Sequence, residues 1–584
     1  MGASHRSRFR KLRTGLNRRN FLKGSALTIA VPLLDACGIS RSPDLPAAAP
    51  APSPAPAPTP SPAPVAVAPK MAAFLHGVAS GDPLTDRVIL WTRVTLDAES
   101  VTAAAIAKVD YVMSLSTALT APVQSGSFIT NAARDYTVKL DPTGLASYTT
   151  YYYQFSITLA DGMVIKSPIG RTKTAPKAGE SDRLRFVSTS CQNYSYGYFN
   201  SHAAIASKAD LDAMIFLGDY IYETGGASQV PGRSHFPANE IISLTDYRQR
   251  HAQYKTDPDL QACHRQIPWI CIWDDHETTN NSYMSGADNH TEATADAPNE
   301  GVWEIRKGWA VRAYFEWMPI RDNANTAFDS VNGEGYKPEG NGSIQRTLKY
   351  GELVDLIMLD TRLAGRTLQT DTVTVSPEQT ILGTAQREWF LGELSKSTAK
   401  WKVVGQQMTF APIKIVPLPE AQGGTFLNSD AWDGYRFDRN AVMNLIRDEA
   451  ISNVVFLSGD THVVTAFDLP IEPSDPTQYN PVTGVGSLAV EYSNNAVANV
   501  GIIAQVFQAN NPHLKYDSIG VCGYLLLDIT PARVQGEYFF TAVAQTRSAV
   551  ETFQRALIDN DGDNFLSLGT TASMGRVTAA PLAP

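Results

Sequence analysis

Four apolar runs in this chain each end on side chains able to hold a metal ion. Leu184-Arg185-Phe186-Val187-Ser188-Thr189-Ser190 leads into Cys191, and Ala213-Met214-Ile215-Phe216-Leu217-Gly218 leads into Asp219. Pro268-Trp269-Ile270-Cys271-Ile272-Trp273 leads into Asp274-Asp275-His276, and Val454-Val455-Phe456-Leu457-Ser458-Gly459 into Asp460-Thr461-His462. Short apolar runs of this kind predict buried β-strands, and in α/β sheets ligands collect beyond the C-terminal ends of the strands. One cysteine after a strand is ordinarily a core residue, one Gly-Asp a turn, one Asp-x-His a loop pair. Their recurrence at successive strand ends predicts a multinuclear metal centre instead.

The residue types divide that centre. Asp219, just past its strand, can bridge two cations with its two oxygens. Tyr222 follows three residues later in Gly218-Asp219-Tyr220-Ile221-Tyr222, close enough to reach the same ion. A phenol with an ordinary pKa of about 10 becomes a phenolate ligand only beside a strong Lewis acid such as Fe3+. Cys191 would add a thiolate, a soft ligand that suits iron or zinc better than calcium, and His462 suits iron or zinc as well. Asp275 and Asp460 are hard oxygen donors for Ca2+, Mg2+ or Mn2+. His276, beside Asp275, could be a ligand, could protonate a leaving alkoxide, or could bind a phosphoryl oxygen.

The elements that must position these residues begin after an address and a tether. Residues 1–16 are rich in Arg and Lys; Asn17-Arg18-Arg19-Asn20-Phe21-Leu22-Lys23 and the apolar stretch Gly24–Leu34 follow. That order is an export signal rather than a fold element, and the paired arginines before Phe-Leu-Lys resemble the twin-arginine (Tat) signal. The translocation machinery is then a partner, and the protein is periplasmic, secreted or held at the cell surface. Leu34-Asp35-Ala36-Cys37-Gly38 resembles a lipobox except at Asp35. Two readings stay open: a lipidated Cys37, the chain's only expected membrane attachment, or plain cleavage that leaves a tail thiol. The Pro/Ala/Ser tract over 43–69 predicts a stiff, extended spacer.

From about Phe74 to Lys177 the text changes to short alternating strands, among them Arg87–Val94, Tyr136–Leu140 and Tyr151–Phe155, which predict a small β-sandwich. After Lys177 strands alternate with helices. The expected division is a signal over 1–37, a linker over 38–72, a β-domain over 73–177, a catalytic domain over 178–550 and a tail over 551–584. The chain has 584 residues, too long for one ordinary domain. Its 49 basic and 58 acidic side chains give a net charge of -9, which excludes a global nucleic-acid footprint. Five cysteines without a CxxC pair exclude a zinc ribbon and a disulfide framework; Cys263, Cys271 and Cys522 read as buried thiols. Asp559-Asn560-Asp561-Gly562-Asp563-Asn564 looks like a calcium loop but lacks the final Glu of an EF-hand, so a solvated turn is the plainer reading.

Gly218-Asp219-x-x-Tyr222 is similar to a motif of the calcineurin-like and purple acid phosphatases. Where those have Gly-Asn-His, this chain has Trp273-Asp274-Asp275-His276-Glu277; where they have Gly-His-x-His, it has Gly459-Asp460-Thr461-His462. With Ser190-Cys191-Gln192, these substitutions resemble the PhoD branch. Gly77–Pro83, Tyr254–Asp259, Leu359-Asp360-Thr361-Arg362 and Trp401–Gln407 extend the resemblance over about residues 74–545. It implies an α/β fold, a four-layer αββα metallophosphatase sandwich preceded by a small all-β fibronectin-like domain. It implies one Fe3+ and two Ca2+ as cofactors, with Cys191, Asp219, Tyr222 and His462 around iron, Asp219 bridging, and Asp275 and Asp460 on calcium. Asn280 or Asn281 would add an oxygen ligand. Gln406 or Gln407 stands where relatives have a histidine. His276, Asp219 and Arg362 would be catalytic, with Arg362 and Arg436 as phosphate-binding forks.

The activity so implied is hydrolysis of phosphate mono- and diesters by metal-activated water, on small phosphate esters or on diesters including lipids and teichoic-type polymers. A phospholipase D-like phosphodiesterase is the nearest alternative. A surface lipoprotein that binds ligands beside a degenerate metal site is the alternative of another class. Trp432-Asp433-Gly434-Tyr435 reads equally as a substrate-contacting loop and as packing.

Overall fold

Val403 and Val404 are neighbours in one strand, Trp401–Gly405, yet they belong to different cores. The next strand, Val454–Ser458, does the same: Val455 and Leu457 face one core, Val454 and Phe456 the other. Alternate side chains leave a strand on opposite faces, so this sheet is buried on both sides. The computed structural model describes residues 69–584 apart from 103–105, 295–296, 298, 323–343, 371–374, 417, 419–424, 427 and 501–509. The export signal, Cys37 and nearly all of the spacer lie outside the described residues.

Two large sheets form the middle of the molecule. The smaller, of seven strands, runs in the order 346–350, 354–358, 401–405, 454–458, 487–493, 464–470, 514–518. The larger, of eleven, places 184–192, 213–216 and 269–271 side by side and parallel, with 523–530 antiparallel on the outer flank of 184–192. Phe186, Leu217 and Leu526 of the larger sheet share a core with Trp401, Val403 and Val455 of the smaller. Helices Asn200–Ala206 and Pro258–Gln266 pack against the larger sheet, while Gly383–Lys396 and Arg436–Asp448 send Phe390, Leu394, Val442 and Ile446 into the second core of the smaller. The result is the four-layer αββα sandwich.

The boundary expected at residue 177 is not a break in the fold. Val78–Gly81 pairs in parallel with 269–271 through Gly81 and Trp269, and 89–93 and 137–140 extend the same sheet. A Cβ on Gly81 would lie 2.1 Å from the Pro319 carbonyl oxygen and 2.5 Å from that of Trp269. The glycine is therefore the condition for this join. A separate five-stranded antiparallel sheet covers it, built from 107–114, 122–130, 150–158, 164–166 and 170–173, with Leu90, Val138, Tyr153 and Phe155 in the core between.

The expected tail over 551–584 is a correction. Glu551–Asn560 and Ser567–Gly569 are strands at the outer edge of the larger sheet. Beyond them the chain returns to the β-domain and to the helix Pro258–Gln266: Tyr152 Oη donates to the Pro581 carbonyl at 2.5 Å and Gln266 Nε2 to that of Ala583 at 2.9 Å. The Asp559–Asn564 segment turns between those strands, with Asp561 in an ion pair with Lys400 at 2.5 Å and bound by Asn453 at 2.8 Å.

Candidate metal centre

The four apolar runs are strands, and their C-terminal ends meet where the two sheets face one another. Cys191, Asp219, Asp274 and Asp275 come from the larger sheet; Asp460 and His462 come from the smaller. Backbone bonds lock adjacent ends: the Cys191 amide donates to Gly218 and that of Gln192 to Asp219, both at 3.0 Å. Cys191, Asp219, Asp460 and His462 have φ of 56°, 56°, 63° and 57°. A left-handed conformation costs a non-glycine residue about 1–2 kcal/mol, and such strain gathers at functional sites. It aims these side chains inward, where an extended backbone would alternate them.

Ligand atoms of Cys191, Asp219 and His462 lie within 4.8 Å of one another. Tyr222 joins them, its Oη 2.9 Å from Asp219 Oδ2 and 3.2 Å from His462 Nε2. A second group with the same spacing is Asp219, Asp275 and His276; a third is Asp274, Asp275 and Asp460. Asp219 is common to the first two and Asp275 to the last two, so the groups form a chain linked by shared carboxylates. The first mixes sulfur, phenol, imidazole and carboxylate, the donor set of a transition metal. The third holds carboxylates alone, the donor set of a hard cation. Asp274 Oδ2 is buried without a hydrogen-bond partner among the described residues, as suits an oxygen that faces a cation.

The electrostatics agree. Burial pushes the Asp274 carboxyl up to about 8 and that of Asp460 up to about 6, with repulsion from Asp275 adding to both and Arg362 opposing. Asp219 is also raised, by burial first and then by Asp274 and Asp275. Asp275 is held low despite burial, by Arg362, His276 and the Asn281 amide. Two like charges at 4 Å repel by about 4 kcal/mol at an effective dielectric of 20, and bound cations remove that cost.

Arg362 departs from its expected role. Its side chain has 0% exposure, and the guanidinium is bound by Asp274 at 2.5 Å, Asp460 at 3.0 Å and Asp430 at 3.1 Å. A fork already filled by carboxylates and shut away from solvent cannot clamp a substrate phosphate; it neutralises the acidic group from behind. Arg436 is buried at the start of its helix with its guanidinium 4.9 Å from the Phe426 ring centre. Gln407 takes the Thr361 hydroxyl at 2.6 Å and donates to the Trp273 carbonyl at 2.5 Å, and Gln406 accepts from the Met408 amide and the Trp432 indole. Both glutamines brace loops. Asn281 binds Asp288 through its side chain and Asp275 through its amide; Asn280 gives its amide to Glu223. Trp432 is buried against Phe410, and Tyr435 donates to the Thr367 carbonyl, so that turn is packing.

His276 lies across Tyr222, ring centres 4.3 Å apart, and its Nδ1 is 2.6 Å from Glu223. Burial works against the charged imidazole, but Glu223, Asp275 and Asp219 raise its pKa well above the usual value. Burial pulls His462 down to about 4, which leaves its nitrogen unprotonated and able to ligate. Glu223 and Glu277 carry structural weight that motif reading missed. Glu277 accepts the amides of Asp219 at 3.0 Å, Tyr220 at 2.5 Å and Asp274 at 2.8 Å, tying two ligand loops to one carboxylate. Asn499, also missed, places Nδ2 3.3 Å from Tyr222 Oη.

The chain is similar to known proteins over most of its length. The profile of the PhoD-like phosphatase family matches residues 186–538, and that of the family's N-terminal domain matches residues 59–176. Alkaline phosphatase D of Bacillus subtilis (strain 168) is 30% identical over 522 residues, covering 86% of this chain and 84% of that protein. A solved structure of PhoD matches with a TM-score of 0.73 at 28% identity, over 86% of this chain and 93% of that one. With the sandwich, the β-domain and the centre described above, these matches place the protein: it belongs to the PhoD-like phosphatase family.

Proposed function

We propose that this chain is an exported alkaline phosphatase that hydrolyses phosphate mono- and diesters and depends on iron and calcium. Cys191, Asp219, Tyr222 and His462 would hold iron, and Asp219, Asp275, Asp274 and Asp460 calcium. Bound there, the cations would supply Lewis acidity toward phosphoryl oxygens and toward a water. The protein's own part is positional. Asp219 and Asp275, each common to two of the groups, would be the carboxylates shared between neighbouring cations. Glu223 holds Nδ1 of His276, which leaves Nε2 to give a proton to the departing alkoxide. Arg362 supplies a permanent counter-charge that offsets part of the repulsion among Asp274, Asp275 and Asp460.

The observation that carries this reading is the chain of three ligand groups linked by Asp219 and Asp275. Rates on p-nitrophenyl phosphate and bis(p-nitrophenyl) phosphate test it: turnover of both at alkaline pH is expected. Turnover of neither by correctly folded, metal-replete protein would refute it.

A further inference from the structure

Asn499 follows the short strand Ala496–Ala498, which runs parallel to the end of Leu184–Gln192 with Ala498 opposite Gln192. The Asn193 amide donates to the Ala498 carbonyl at 3.1 Å, and Cys522 Sγ lies 3.5 Å from the carbonyl of Asn499 itself. The backbone at this point is therefore held from both sides, next to Cys191. The side chain is held too: its Oδ1 accepts the Val500 amide at 3.0 Å. This turns the NH2 group toward the metal centre, where Nδ2 is 3.3 Å from Tyr222 Oη and 3.3 Å from His462 Nε2.

The two neighbours compete for that donor, and ligand chemistry decides between them. A ring nitrogen that binds a metal has no lone pair left to accept a hydrogen bond. A phenolate oxygen that binds a metal still has one. We infer that Asn499 donates an amide N–H to the phenolate oxygen of Tyr222 and so tunes the iron that Tyr222 holds. This rests on the iron–phenolate reading above and adds to it a residue outside the ligand set. Outer partners orient and tune first ligands. Here the hydrogen bond withdraws electron density from the phenolate oxygen, lowers the energy of its donor orbital and leaves the Fe3+ a stronger Lewis acid.

The consequence is optical. A phenolate-to-Fe3+ charge-transfer band lies at higher energy when the phenolate is hydrogen-bonded. Asn499→Ala removes the donor, and Asn499→Leu removes it while keeping the same branched skeleton of heavy atoms, which separates loss of the bond from a slackened pocket. Visible spectra and iron content of both variants are compared with those of the iron-loaded parent. Both variants are expected to keep their iron and to shift the band to longer wavelength by similar amounts. A band that stays in place with iron retained overturns the inference. Loss of iron from both folded variants overturns it as well, because Asn499 would then be a ligand. A parent with bound iron and no visible band overturns the phenolate reading first and this inference with it, and the spectrum of the parent alone tells that case apart.

Discussion

Asp219 is the residue on which the centre turns. One oxygen lies 2.9 Å from Tyr222 Oη, and the carboxylate also belongs to the group formed with Asp275 and His276. Asp219→Asn keeps the shape and removes the negative charge that holds two cations together. Two unit positive charges 4 Å apart would repel by about 4 kcal/mol at an effective dielectric of 20, and multivalent cations by several times that. The variant is expected to lose metal and to fall in kcat/KM by orders of magnitude with its melting temperature little changed, since Ala213–Phe216 and their neighbours supply the core. Metal content and rate at parental levels would make Asp219 a turn residue only. The candidate ligands were legible because Cys191, Asp219, Asp275 and Asp460 lie at the ends of apolar runs and Tyr222 and His462 follow within three residues. Glu223, Glu277 and Asn499 were not: their partners are backbone amides or atoms on other loops, and such contacts leave no spacing in the sequence. Arg362 was legible as a residue near the site but misread in role, because nothing local announces that Asp274, Asp430 and Asp460 converge on it.

At the scale of elements, the ligand loops depend on glycines that let neighbouring strand ends touch. Gly218 has φ of 104°, and a Cβ there would lie 2.5 Å from both the Cβ and the amide nitrogen of Asp274. Gly459 meets Ser190 Oγ at 2.7 Å in the same way. Gly218→Ala must push apart the Asp219 and Asp274 loops that Glu277 ties together. A destabilisation of about 1–3 kcal/mol with a larger loss of metal affinity is expected in thermal melts and metal titrations; unchanged affinity would show that the loops can separate without consequence. The four parallel strands that lead into the site were legible, since both faces are buried and their apolar runs are continuous. The antiparallel strands 464–470 and 514–518 carry Thr, Asp and Lys on partly exposed faces and gave no such run.

For the whole molecule, what escaped the sequence is how its parts join. The β-domain shares a sheet with the catalytic sandwich through one pairing of residues nearly two hundred apart in the chain, Gly81 with Trp269. The last residues return across it rather than trail away. Neither follows from composition, because Gly-, Ser- and Ala-rich text reads as loose until its partners are known. This join makes the β-domain part of the scaffold that holds the strand ends in register, a role that needs no ligand of its own. Among the described residues no helix is long and apolar enough to cross a membrane.

The central claim is that phosphate-ester hydrolysis takes place at the linked ligand groups and needs cations in them. Metal analysis of purified protein before and after prolonged chelation, with phosphoesterase rates on the same samples, tests it most directly. Stoichiometric iron together with calcium is expected at the outset. Activity should be lost in step with their removal and regained only when both are returned. Full phosphoesterase activity in protein shown to be free of both metals would contradict the account.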